Sequence, residues 1–290
     1  MSRIFDVVKK DNIIDFGEIC QADVNDVTAS FQNVREPACV TRPVSLPQNA
    51  KRIVRLKAST LSPIFPFDGE HYQAAEQYRI IRTKIWHGSK KPHVVVVSSS
   101  SSGDGKTVTS INIAASLALK EDACVLLVDG DLRHPRVADA LGIPIASGLS
   151  EVLSGTVSLE SAIVSAEQFP NLFILPAGNP GENAAELLDS QRWHALVEQV
   201  RGRYSNVIFD APPIATVADY ELLQLICDGV IVVARPDHSD RRAFFKALEA
   251  VPQEKLLGVV LNCVEDWWLW KTPAYGYYGT QSSMHRGGPG

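Results

Sequence analysis

Residues 94–107 read Val-Val-Val-Val-Ser-Ser-Ser-Ser-Ser-Gly-Asp-Gly-Lys-Thr, and this stretch decides the fold. Four consecutive β-branched residues, Val94 to Val97, predict a strand covered on both faces, because a half-exposed strand would alternate apolar and polar side chains. The small residues that follow let successive backbone N–H groups curl into a concavity that attracts anions. A helix predicted over Val108 to Leu119 begins directly afterwards. Its unsatisfied first-turn N–H groups and positive dipole end add to the pull on phosphate. Lys106 is placed to neutralise β- and γ-phosphates, and the Thr107 hydroxyl to ligate Mg2+. Against the strict pattern G-x-x-x-x-G-K-[ST], Ser100 stands where the first glycine belongs. The strand–loop–helix context supplies the confirmation that the motif requires. The stretch therefore implies that a nucleoside triphosphate binds with magnesium, through Ser102, Gly103, Asp104, Gly105, Lys106, Thr107 and Val108.

Further apolar runs at Val125–Val128, Leu172–Leu175, Val207–Phe209, Val230–Val233 and Leu257–Leu261 predict more strands. Helical stretches lie over His71–Trp86, Ala184–Val200, Tyr220–Ile226 and Arg242–Ala250. Continuous apolar strands alternating with helices predict an α/β, doubly wound, mostly parallel sheet flanked by helices in three layers. In such a sheet ligands bind at the carboxyl ends of the strands. Asp129 and Asp131 follow one strand and Asp210 ends another, which puts three carboxylates on the rim that carries the phosphate loop. A lone Asp at a strand end is commonly a helix cap or turn residue. Three on one rim fit a hard, oxygen-seeking Mg2+ better.

The domain is predicted over residues 66–264. Residues 1–65 carry Pro37, Pro43, Pro47 and Pro63 among polar residues, without the sustained periodicity of a second core, and read as a largely disordered or docking arm. Within it, Lys51–Leu56 is strand-like. Residues 265–290 form an aromatic, then Gly-rich tail, read as flexible. The net charge of -5 argues against a nucleic-acid partner. Five scattered cysteines, with no C-x-x-C pair, suit neither a disulfide framework nor a zinc site. No apolar run approaches the roughly 20 residues of a spanning helix, so the expectation is a cytoplasmic protein.

Taken together, Ser-Gly-Asp-Gly-Lys-Thr, Val-Leu-Leu-Val-Asp-Gly-Asp-Leu-Arg-His-Pro (125–135) and Val-Ile-Phe-Asp-Ala-Pro-Pro (207–213) resemble the Walker A, A′ and B motifs of bacterial tyrosine kinases. Those are autokinases of capsule and exopolysaccharide synthesis, built on the scaffold of the MinD/ParA ATPases. The resemblance runs from about Glu70 to Val264 and includes Gly148–Leu153, Leu175–Gly178, Ala185–Leu188 and Gly258–Asn262. Three features separate it from a partitioning or positioning ATPase. The signature lysine of those ATPases is replaced here by Ser101. Glu76-x-x-Arg79-x-x-Arg82 matches the kinase motif that helps subunits close into a ring, and its spacing aligns the three along one helical face. The tail carries Tyr275, Tyr277 and Tyr278, like the phosphoacceptor cluster of the kinases.

The resemblance implies an ATP- and Mg2+-dependent protein-tyrosine autokinase that regulates polysaccharide synthesis or export, with ATP hydrolysis as a side activity. It implies that Lys106, Asp129 and Asp131 carry catalysis, with Asp129 as base or metal orienter. Thr107, Asp129 and Asp210 would hold the metal, and Asn262 the adenine. Arg133 would touch phosphate or a neighbouring subunit. Implied partners are other copies of the chain in a ring, a membrane-embedded co-polymerase or activator, and a cognate tyrosine phosphatase. Such an activator would hold the chain at the inner face of the cell membrane. A nucleotide-binding scaffold without kinase activity is a further alternative, opposed by the intact Lys106, Thr107, Asp129, Asp131 and Asp210.

Overall fold

The computed structural model describes residues 3–5, 52–57, 64, 71–144, 146–179, 183–214 and 218–264. Its strands are β1 (Arg3–Phe5), β2 (Arg52–Val54), β3 (Val94–Ser99), β4 (Val125–Asp129), β5 (Val164–Ala166), β6 (Phe169–Leu175), β7 (Asn206–Asp210), β8 (Gly229–Ala234) and β9 (Leu256–Leu261). The longer helices are α1 (Tyr72–His87), α2 (Lys106–Ala118), α7 (Gln191–Arg203), α8 (Ala218–Ile226) and α9 (Arg241–Ala250). Between them lie the short helices α3 (Val137–Leu141), α4 (Leu149–Ser154), α5 (Leu159–Ala162) and α6 (Ala184–Leu188).

Among the described residues the strands form one sheet in the order β1-β9-β8-β3-β7-β4-β6-β5-β2. From β9 to β6 every pairing is parallel. Strands β3, β4, β7 and β8 are buried at every residue, as expected of strands covered on both faces. Two apolar layers follow. One includes Val94, Val96, Leu126, Val128 and Phe209 under α7, α8 and α9. The other includes Val95, Val97, Val125, Leu127 and Ile208 under α1 and α2. Alternate residues of each strand serve opposite layers, as the pleat dictates.

The sheet departs from all-parallel at its margins. β5 runs antiparallel to β6 in a tight hairpin, and β1 runs antiparallel to β9. β1 and β2 both come from the segment expected as an arm, and they occupy the two edges of the sheet. Leu56 and Ile64 of the same segment are buried in the α1–α2 layer. An edge strand's unpaired N–H and C=O groups recruit any available extended segment, which explains how three-residue strands find a place.

Helix α1 buries Tyr78, Ile81 and Ile85 but leaves Ile80 40% exposed. The stretch expected as one helix over Ala184–Val200 is two helices, α6 and α7. The break falls at Asp189-Ser190, where the Ser190 hydroxyl accepts from the Trp193 backbone N–H at 3.2 Å and caps α7. A serine at that position competes for the backbone and favours a cap over a helix interior. Trp193 is fully buried, with its ring edge-on to Phe209 at 5.6 Å between centroids. Trp193→Ala is therefore expected to lower the unfolding free energy by about 3–5 kcal/mol, read as a drop in the urea midpoint. Because Phe209 directly precedes Asp210, the same change should loosen the strand end that carries the site.

Candidate active site

Strands β3, β4, β7 and β8 are parallel, so their carboxyl ends share one rim, and the loops after them meet there. After β3, the chain turns through Ser100–Gly105 into α2. Gly105 has φ +94°, and a side chain on it would overlap the Asn262 amide. Only glycine meets both demands. The first turn of α2 carries Lys106, Thr107 and Val108, and its backbone N–H groups point into the loop as an anion site.

Asp129 and Asp210 are the last residues of β4 and β7 and stand opposite each other in the ladder. Both are fully buried. One oxygen of Asp129 accepts from the backbone N–H of Arg136 (3.1 Å) and Val137 (3.0 Å). One oxygen of Asp210 accepts from the Thr107 hydroxyl at 2.7 Å. The other oxygen of each, Oδ1, is buried without a hydrogen-bond partner. Asp131, beyond the strand end, accepts from the Lys106 ammonium at 2.8 Å and from the His134 N–H at 3.1 Å. Lys106, Thr107, Asp129, Asp131 and Asp210 therefore converge, as their positions in the sequence imply.

The electrostatics follow from the count of one ammonium facing three carboxylates. Burial pushes the Asp129 carboxyl well above the usual carboxylate range, and the neighbouring Asp210 charge adds to it. Burial likewise pushes Asp210 up to about 6, against the pull of Lys106 and the Thr107 hydroxyl. For Lys106 the balance is reversed. Burial disfavours its charge, but Asp210, Asp131 and Asp129 together outweigh burial and raise its pKa. Two unpaired buried oxygens in an acidic site are the atoms that a hard cation would take. Among the described residues no cluster of three His, Cys, Asp or Glu forms a metal cage of its own.

Next to the loop lies a cleft of about 530 Å3, bordered by Ser100, Ser102, Lys106, Asp131, Arg136 and Pro212. A second cavity of about 260 Å3, between α1 and the β8–β9 strands, lies away from the carboxylates. Arg133 is also on the rim, where its guanidinium grips the buried Asp219 at the start of α8 with two bonds, 2.7 and 3.1 Å. Asn262, just past β9, donates to the carbonyl of Asp104 at 3.1 Å. Of the helical triad, Glu76 and Arg79 pair with each other at 2.5 Å on the exposed face. Arg82 instead donates to the Ser116 carbonyl of α2 at 3.1 Å. Tyr275, Tyr277 and Tyr278 lie outside the described residues.

Residues not singled out from sequence also converge here. His238 and Ser239 follow β8 and contact the Asp104 side chain, and Asp219 holds Arg133. The signal for them is positional. β8 pairs directly with β3, so the loop after β8 must flank the phosphate loop.

Residues 92–250 match a family model described as an AAA domain. The chain is 36% identical over 214 residues to a tyrosine-protein kinase, YwqD, of Bacillus subtilis (strain 168), covering 72% of this chain and 88% of that one. It is 35% identical over 196 residues to the tyrosine-protein kinase CpsD of Streptococcus pneumoniae serotype 4, covering 66% and 84%. Among solved structures it is similar to the chimerical protein CapA2B2, with TM-score 0.65 and 28% identity over 75% of this chain and 94% of that one. By these likenesses the chain belongs to the P-loop protein-tyrosine kinases of bacteria.

Proposed function

We propose that this kinase uses Mg2+ and ATP to phosphorylate Tyr275, Tyr277 and Tyr278 of a neighbouring copy, within a homo-oligomer that regulates exopolysaccharide synthesis or export through a membrane-protein partner. The observation that carries the chemistry is the convergence of Lys106, Thr107, Asp129, Asp131 and Asp210 around two unpaired carboxylate oxygens. Phosphoryl transfer needs little beyond positioning and charge neutralisation. The N–H groups of residues 103–107 would hold the phosphates. Lys106 would exchange Asp131 for phosphate oxygens. Thr107, Asp129 and Asp210 would hold the metal, which when bound supplies positive charge at the phosphate oxygens.

A tyrosine hydroxyl has an ordinary pKa near 10, so its attack gains from a nearby base. With Asp129 Oδ1 given to the cation, Asp131, which borders the open cleft and is released by Lys106 when phosphate binds, would assist as that base. Asn262, which donates to the Asp104 carbonyl of the loop, would meet the base of the nucleotide. The exposed Glu76–Arg79 pair on α1 supports the reading of that helix as a subunit contact. Arg133, which borders the cleft while held by Asp219, would reach phosphate or a subunit with its remaining N–H groups. No helix of the described residues is long and apolar enough to cross a membrane, and in this reading a separate membrane protein is the anchor and activator. A cognate phosphatase would reset the tyrosines.

Purified chain with ATP and Mg2+ should acquire phosphotyrosine. Changing Tyr275, Tyr277 and Tyr278 together to Phe should lower the label at least tenfold, without changing ATP affinity. ATP hydrolysis with no phosphotyrosine in the unaltered chain would instead support a positioning ATPase. Undiminished label in the triple variant would overturn the assignment of the acceptors.

A further inference from the structure

A carboxylate inside a phosphate-binding loop is a physical contradiction, because like charges a few ångströms apart repel. Asp104 stands between the two glycines of that loop, yet it is fully buried. The contradiction is resolved by its orientation. One carboxylate oxygen accepts from the Ser101 backbone N–H (3.0 Å) and the Ser100 hydroxyl (3.2 Å). The other accepts from the Ser239 hydroxyl (2.7 Å) and lies 3.1 Å from His238 Nδ1. Four partners occupy the carboxylate, and none is a phosphate donor of the helix start. The Ser239 hydroxyl also accepts from the Arg235 N–H at 2.8 Å, which fixes the turn from which it reaches.

We propose that Asp104 is a positioning residue for ATP, whose side chain pins the phosphate loop to the β8–α9 turn through Ser239 and His238. The proposal rests on the reading of this loop as the nucleotide site. The Asp104 carboxylate touches no phosphate; only the backbone N–H of the residue would. It fixes the direction in which the N–H groups of Gly103 to Lys106 point, by anchoring the loop on both sides of Gly103. Buried charge-assisted hydrogen bonds to a carboxylate are short and directional, so this anchor resists the collapse of a Ser/Gly-rich loop that has no bound anion. The same strut reaches α9, because Asp240, next in the chain, caps that helix by accepting from the Ala243 N–H at 2.8 Å.

Ser239 gives the cleanest test, since its hydroxyl lies outside the phosphate loop. Ser239→Ala should raise the KM for ATP about tenfold, the loss of one charge-assisted bond, and should change kcat less than threefold. Ser239→Thr keeps the hydroxyl and should restore KM to within twofold. If Asp104 acts through Ser239, the two effects must not add: Asp104→Ala with Ser239→Ala should bind ATP no more weakly than Asp104→Ala alone. Additive effects, or an unchanged KM in Ser239→Ala, would overturn the proposal. Should Asp104→Ala fail to fold, the Ala and Thr variants at 239 decide alone, on the KM rise and its rescue. Calorimetric titration of the unaltered chain with ATP separates the two levels. No binding there removes the nucleotide reading itself, whereas binding with an insensitive Ser239 removes only the strut.

Discussion

Lys106→Met is expected to cut ATP-dependent tyrosine phosphorylation by about 1000-fold or more, the scale on which a single charge clamp on a transferring phosphoryl group acts. The structure separates this effect from a loss of fold. In the free protein the ammonium is held by Asp131 at 2.8 Å and faces Asp129 and Asp210 as well. Methionine fills similar space without the charge, so Asp131 loses its cation but keeps the His134 N–H and borders the open cleft. The stability cost should stay near 1–3 kcal/mol, below that of breaking a fully enclosed pair. Lys106→Arg separates the two roles. A guanidinium restores the charge beside Asp131, and with it most of the stability. Its planar fork is bulkier than a compact ammonium and presents its donors in a different geometry, so activity should remain at least 100-fold down, on the same charge-clamp scale. Phosphotyrosine blotting beside urea denaturation reads both. Activity within tenfold of normal in Lys106→Met would remove the lysine from the mechanism.

Much of this site was legible in the sequence because its residues follow the ends of strongly apolar strands. Val94–Val97, Val125–Val128 and Val207–Phe209 could hardly be anything but buried parallel strands, and a parallel sheet puts every following residue on one rim. The placement of Lys106, Thr107, Asp129, Asp131 and Asp210 then follows from topology. What stayed hidden lacked that periodicity. Helices α3, α4 and α5 have four to six residues, too short for a helical repeat to register. α4 instead depends on distant partners. The Glu151 carboxylate accepts from the N–H groups of Gly148 (2.7 Å) and Asn179 (3.0 Å), and the second of these lies 28 positions away. The His238–Asp104 and Arg133–Asp219 contacts span 134 and 86 positions. No local pattern encodes such pairs. They emerge only once the strand order sets β8 beside β3 and β7 beside β4, with the loops that follow them.

Asp210→Asn should make the nucleotide-free protein more stable at pH 7 while lowering kinase activity by about 100- to 1000-fold, the range for losing one preorganised electrostatic contact. The cause is a buried carboxylate whose Oδ1 has no partner and whose pKa burial has pushed up to about 6. A pKa raised in the folded state means that folding favours the protonated acid. The native chain then binds more protons than the unfolded one between the ordinary carboxylate range and about pH 6, so stability falls as pH rises through that window. At pH 7 the ionised group therefore costs stability, by roughly 1–3 kcal/mol, since each tenfold change in proton affinity is worth about 1.4 kcal/mol. An amide imitates the protonated form and can still accept from the Thr107 hydroxyl. The variant should consequently melt roughly 3–10 °C higher at pH 7, with the gain shrinking toward zero near pH 4, where the acid is protonated anyway. Magnesium with nucleotide should reverse the order, because the carboxylate's cost in the free protein is what a bound cation relieves. Thermal melts from pH 4 to 8, with and without Mg2+ and nucleotide, test each arm. A loss of stability at pH 7 in Asp210→Asn would mean that Lys106 already compensates the charge in full, and that the acidic rim is not held in strain for its ligand.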